Sequence, residues 1–175
     1  IDFQKKLGSL KFLDPACGSG NFLTETYLSL RRLENEILKQ LFKGGQMLIG
    51  FHDDWKPIEV SIEQFYGIEI NDFASVVAKT ALWIAESQMM KETEKLVEKQ
   101  LNFLPLKSYA NIVEGNALRI DWETVVPKNE LNYIMGNPPF VANTGRVSNE
   151  LSHSQKMMDK DQSDDRLSLF GKDGG

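Results

Sequence analysis

Cysteine is nearly missing from this chain: Cys17 is the only one in 175 residues, so no internal disulfide can form, which is consistent with a reducing compartment. Positive charge is also short. Twenty Lys and Arg face 25 Asp and Glu, for a formal net charge of −5, which is not the balance of a module that grips nucleic acid through its own surface. If nucleic acid is the substrate, most phosphate contacts have to come from elsewhere. No signal-peptide pattern and no apolar run of about 18 residues is found, so the expectation is a soluble cytoplasmic protein with no membrane partner. Of the two histidines, His52 stands beside Asp53 and Asp54, but adjacent residues on a loop lack convergent geometry, and no metal site is expected. With 41% hydrophobic residues the chain can bury one core and has no obvious room for two.

What is present is organised around Leu10–Gly20, LKFLDPACGSG. A short apolar run meets an acid and a proline, then a turn with two glycines, and a helical pattern follows. This reads as strand, tight loop and helix, the first unit of an α/β nucleotide-binding sheet. Gly18 and Gly20 let the backbone pass close to a ligand, and the helix start offers unpaired N–H groups. The glycine pattern is G-x-G without the third glycine, because position 23 is Leu, so it does not make a dinucleotide fingerprint.

Ile1–Ser9 reads as a polar lead-in. From Phe22 to Phe42, Leu23, Tyr27, Leu30, Leu33, Ile37, Leu38 and Leu41 recur at helical steps, with Arg31, Arg32, Glu34, Glu36 and Lys39 expected on a solvated face. Gly44-Gly45 should end this helix, and Gln46–Gln64 reads as an insertion that could hold one edge strand. FYGIEI (Phe65–Ile70) is the near-continuous apolar run of a buried parallel strand. Asn71 or Asp72 caps the next helix, Phe73–Met90, whose apolar residues Phe73, Val76, Trp83 and Ile84 among others predict packing against the sheet. A charged helical stretch (Lys91–Gln100) and a loop at Pro105 lead to a third strand near Asn111–Val113, which closes in EGNAL. A fourth, Leu131–Met135, ends in GNPPF. Beyond Val141 the periodicity fails, and the acidic Asp159–Asp165 stretch predicts a mobile loop or frayed end over 142–175.

Four strands therefore each finish at a polar or glycine-bearing turn, and in a parallel sheet those ends share one edge although about 120 residues separate the first from the last. Glu69 at the second strand end can accept hydrogen bonds from ribose hydroxyls; a helix-capping or surface acid is the plainer alternative. Asn116 could read an adenine edge or simply make a turn. In Asn137-Pro138-Pro139-Phe140, two prolines remove two N–H donors and leave the Pro138 carbonyl and the Asn137 side-chain oxygen free to accept. That pair can hold both hydrogens of an exocyclic amine, favouring a pyramidal nitrogen whose lone pair faces an electrophile, while Phe140 offers a stacking surface.

DPACGSG, an acid-ended strand and NPPF together resemble the S-adenosyl-L-methionine-dependent amino-methyltransferases, particularly the N6-adenine DNA methylases. The longer DPACGSGNFLTETYLSLRRLE and QFYGIEINDFA look like the methylase region of type IIG and IIL restriction-modification enzymes. The resemblance runs from about Leu10 to Val141, which predicts a partial Rossmann-like methyltransferase core over 1–141. It implies that Asp14, Ala16, Gly18 and Gly20 surround the methionine part of the cofactor, Glu69 holds its ribose, Ile70 packs on its adenine and Asn116 contacts the adenine amine. Asn137, Pro138 and Phe140 would hold the target base of double-stranded DNA, with direct methyl transfer and no covalent enzyme intermediate. Methylases of RNA, of cytosine N4 and of protein glutamine share NPP turns, and a vestigial non-catalytic domain is the non-enzymatic alternative. The family pattern continues into strands and a target-recognition domain that are not visible here, so weak cofactor binding and no methylation are expected of this stretch alone.

Overall fold

Pleated apolar runs bounded by turn residues become strands here, and helical apolar spacing becomes the helices that cover them. The computed structural model describes residues 2–43, 58–97 and 110–138. In chain order these form α1 (Asp2–Ser9), β1 (Phe12–Asp14), α2 (Asn21–Lys43), β2 (Phe65–Glu69), α3 (Asp72–Val97), β3 (Asn111–Glu114) and β4 (Tyr133–Ile134), with one-turn 3-10 helices at Ile62–Gln64 and Trp122–Thr124. The helix end expected at Gly44-Gly45, an edge strand before Ile58, the His52 loop, the Pro105 loop, Phe140 and the tail 142–175 lie outside the described residues.

The strands make one parallel sheet in the order β3-β2-β1-β4. Phe12 pairs with Phe65 and with Tyr133, and Glu69 pairs with Glu114. β1 to β2 and β2 to β3 are successive crossovers through α2 and α3, stepping outward in one direction. The chain then returns to set β4 on the other side of β1. That reversal is a topological switch point, the place where open α/β sheets form ligand crevices outside the strand carboxyl ends.

Alternation along the strands divides the core. Phe12 and Phe65 stack with ring centroids 5.2 Å apart and pack with Leu23, Tyr27, Leu82 and Met89 of the two long helices. Leu13 and Ile68 point the other way, onto Val126, Ile120 and Trp122 of the β3–β4 connection. Both faces of β1 are therefore buried, which is why it reads as an apolar run without alternation. No described helix is long and apolar enough to cross a membrane.

Several expectations are corrected by the packing. The polar lead-in is helix α1, held by buried Gln4 and Leu7. Arg31 and Glu34 are not on a solvated face: both are fully buried and paired with each other. Arg31 also donates to Thr93 Oγ1 of α3 (2.8 Å), while Glu34 Oε1 accepts from Gln4 Nε2 (3.0 Å) and from the Glu59 N–H (2.7 Å). These ions serve as the polar seam joining α1, α2, α3 and the chain entering β2. Leu33, by contrast, is exposed. On α3, Phe73, Val76, Trp83 and Ile84 are exposed as well, while Ala78, Leu82, Ala85 and Met89 face the sheet. A helix this apolar all round has no strong preference written in its own sequence for one face.

Candidate active site

Backbone hydrogen bonds tie the strand ends together before any ligand is considered. The Cys17 N–H donates to the Ile68 carbonyl (3.1 Å), Gly115 N–H to the Glu69 carbonyl (2.8 Å) and Met135 N–H to the Leu13 carbonyl (2.9 Å). A cleft of about 470 Å³ opens beside them, lined from the first turn by Pro15, Ala16 and Gly18, from the second by Glu69, Ile70 and Asn71, from the third by Gly115 and Ala117, and from the last by Asn137. Phe73 and Ala74, in the first turn of α3, complete the wall. Its volume lies within the ~300–1,000 Å³ usual for small-molecule sites.

Glu69 is the hub. It is 8% exposed, and its two carboxylate oxygens accept from the Gly18 N–H (2.7 Å) and the Asn71 N–H (2.9 Å). The charge thus holds the glycine loop against the end of β2, and each oxygen retains a second lone-pair direction for a ligand hydroxyl. The capping alternative falls to its neighbour: Asn71 Oδ1 accepts from the Ala74 N–H (2.9 Å) at the start of α3.

The two glycines of the loop do different things. Gly18, at φ +54°, has nothing within 4 Å of where a Cβ would stand, so it leaves open room on the cleft. Gly20, at φ +81°, is buried against α3, where an added Cβ would lie 2.9 Å from the Ala78 Cβ. Gly20 sets the close packing of α2 on α3 and does not line the cleft.

Asp14 sits behind the loop at 1% exposure, its Oδ1 accepting from the Ala16 N–H (3.0 Å) and its carboxyl packed on the backbone of Gly136. Desolvation pushes its pKa up, partly offset by the Ala16 N–H, and the nearby Glu69 charge adds to the rise. Two buried carboxylates at one end of the sheet make an environment suited to a cation. Cys17 is buried and its thiol is pushed up to about 12, chiefly by desolvation, so at neutral pH it is not a thiolate.

Among the residues singled out from sequence, Ala16, Gly18, Glu69, Ile70 and Asn137 meet in the cleft. Asp14, Gly20, Asn116 and Pro138 stand next to it without lining it. Asn116 Oδ1 accepts from the Leu118 N–H (2.9 Å), organising its own turn, and Asn137 is exposed at the rim. Sequence reasoning gave Asn71 only a capping role and gave Phe73, Gly115 and Ala117 no site role. The EGNAL turn marked the place of two of these, whereas Phe73 reads as one more apolar residue of α3.

Comparison with known proteins agrees with this architecture. The family model of the MmeI DNA-methyltransferase domain matches residues 1–169. The chain is 43% identical over 170 residues to DNA methyltransferase A of Bacillus subtilis (strain 168), a match that covers 95% of this chain and 17% of that protein. It is also similar to the solved type IIL restriction-modification enzyme MmeI in complex with DNA, at a TM-score of 0.75 and 39% identity, covering 98% of this chain and 21% of that one. The chain therefore spans about a fifth of the length of these relatives. With the matching fold, the strand-end cleft and a family match along nearly its whole length, the chain belongs to the MmeI DNA-methyltransferase domain family.

Proposed function

We propose that this domain binds S-adenosyl-L-methionine and directs its methyl group to N6 of adenine in double-stranded DNA, as part of a restriction-modification protein. The observation that carries the reading is the meeting of Gly18, Glu69 and Asn137 in one cleft at the switch point. The residues present fit the cofactor. Gly18 leaves space where any other residue would project, Glu69 keeps lone pairs for a diol, and the Asp14–Glu69 pair offers negative charge to a cationic ligand. The cofactor, when bound, supplies a methyl group on positively charged sulfur.

The chain's own part is positioning and electrostatics. Asn137 Oδ1 and the Pro138 carbonyl accept the two hydrogens of the target amine, which localises the nitrogen lone pair, and Phe140 stacks on the base. No enzyme nucleophile is required, in keeping with a buried Cys17 thiol. A base inside a duplex must be flipped out to reach such a cleft, at a cost of a few kcal/mol. With a net charge of −5, the DNA contacts that offset this cost are assigned to parts of the protein beyond this domain.

The test is incubation of the protein with methyl-labelled S-adenosyl-L-methionine and separate duplex DNA, RNA and protein acceptors. Nucleoside analysis of the DNA is expected to place label in N6-methyladenine. Label in N4-methylcytosine, or in RNA or protein alone, would reject the assigned acceptor.

A further inference from the structure

Phe73 is 75% exposed, more than any other large apolar side chain described, yet it lines the cleft. Val76 and Ile84, also exposed on α3, do not line it. The backbone beneath the ring is held firmly: the Phe73 N–H donates to Asp72 Oδ1 (2.6 Å), and the following Ala74 N–H to the capping Asn71 (2.9 Å). Of the other lining residues, Gly115 and Ala117 carry little side chain and Ile70 is aliphatic. Among the described residues that line the cleft, Phe73 is the one flat aromatic surface. It lines the same cleft as Glu69, which puts an acid able to hold a ribose and a ring able to stack the attached base on one ligand surface.

We propose that Phe73 is the stacking platform for the purine of the cofactor, a binding residue additional to Glu69 and Ile70. This rests on the cofactor reading given above. Stacking is tolerant of base identity, so Phe73 supplies affinity, and selection of adenine falls to hydrogen-bonding groups. Its exposure in the ligand-free fold follows, because the surface that covers it arrives with the ligand.

Calorimetric titration of the full chain with S-adenosyl-L-homocysteine tests this. Phe73→Ala is expected to weaken binding about 5- to 150-fold. Phe73→Tyr is expected to retain near wild-type affinity and Val76→Ala to leave it unchanged. 5′-Methylthioadenosine, which keeps base and ribose but lacks the amino acid, should lose the same factor with Phe73→Ala. Melting of the ligand-free Phe73→Ala protein should stay within about 2 °C of wild type, as for an exposed position. Equal affinity of wild type and Phe73→Ala, with binding still abolished by Glu69→Ala, overturns the role of Phe73 and leaves the cofactor reading standing. No binding to wild type overturns both.

Discussion

Replacing Glu34 by Ala is the sharpest test of the packing beneath the cleft. The substitution removes the carboxylate that pairs with Arg31 and accepts from Gln4 and from the Glu59 N–H, while both ion partners have no exposure to water. It leaves the guanidinium with the Thr93 hydroxyl still in place but without the carboxylate it pairs with. Stranding a buried charge costs about 3–5 kcal/mol, a large share of the ~5–15 kcal/mol that holds a domain folded. Glu36, two residues away on α2, pairs with Lys39 in solvent, and Glu36→Ala should cost less than about 1 kcal/mol. The assay is urea unfolding, with ΔG extrapolated to water at unchanged m for all variants. The double replacement Arg31→Met with Glu34→Leu should recover much of the loss, because it removes both charges of this pair together. Equal midpoints for Glu34→Ala and Glu36→Ala would refute the buried seam.

Other consequences concern the cleft. Asn137→Ala, which would remove the acceptor proposed for the target amine, is expected to lower kcat by about 10²–10³ while leaving S-adenosyl-L-homocysteine affinity unchanged; a parallel fall in affinity would remove Asn137 from the acceptor side. Because the Asp14 pKa is raised on folding above its ordinary 3.8, this group favours the folded state below its unfolded pKa, and that contribution is lost as pH rises through the folded pKa. A cation in the cleft favours the charged form, so affinity should weaken as pH falls through the same pKa. Asp14→Asn should flatten both profiles, read by melting and by calorimetry across pH. Gly20→Ala forces a left-handed residue and a Cβ onto Ala78, costing about 2–5 kcal/mol of stability. Gly18→Ala should cost only about 1–2 kcal/mol of stability and act mainly on ligand affinity, because its Cβ meets open space.

Much of this fold is legible in local patterning. The run Phe65–Glu69 reads as a doubly covered strand because nearly every side chain along it is apolar, and the spacing Leu23, Tyr27, Leu30, Ile37, Leu38 reads as a helix with one inward stripe. The four strand-end turns are legible too, and parallel pairing brings them to one edge whatever lies between them in sequence. These are properties of residues a few places apart, or of a sheet rule that holds for any loop length.

What only the tertiary structure decided is where each side chain stands relative to distant partners. Arg31 and Glu34 resemble surface charges until Gln4, Thr93 and the Glu59 backbone arrive from other segments to satisfy them. Phe73 and Trp83 resemble core residues until packing turns the other side of α3 to the sheet. Gly18 and Gly20 are alike in the sequence, yet one meets open space and the other meets Ala78. Local periodicity specifies which backbone a segment adopts, but burial and pairing are sums over neighbours brought together by the chain's path. For that reason the letters alone marked the four turns that line one cleft, while the packing determined which of their side chains face it.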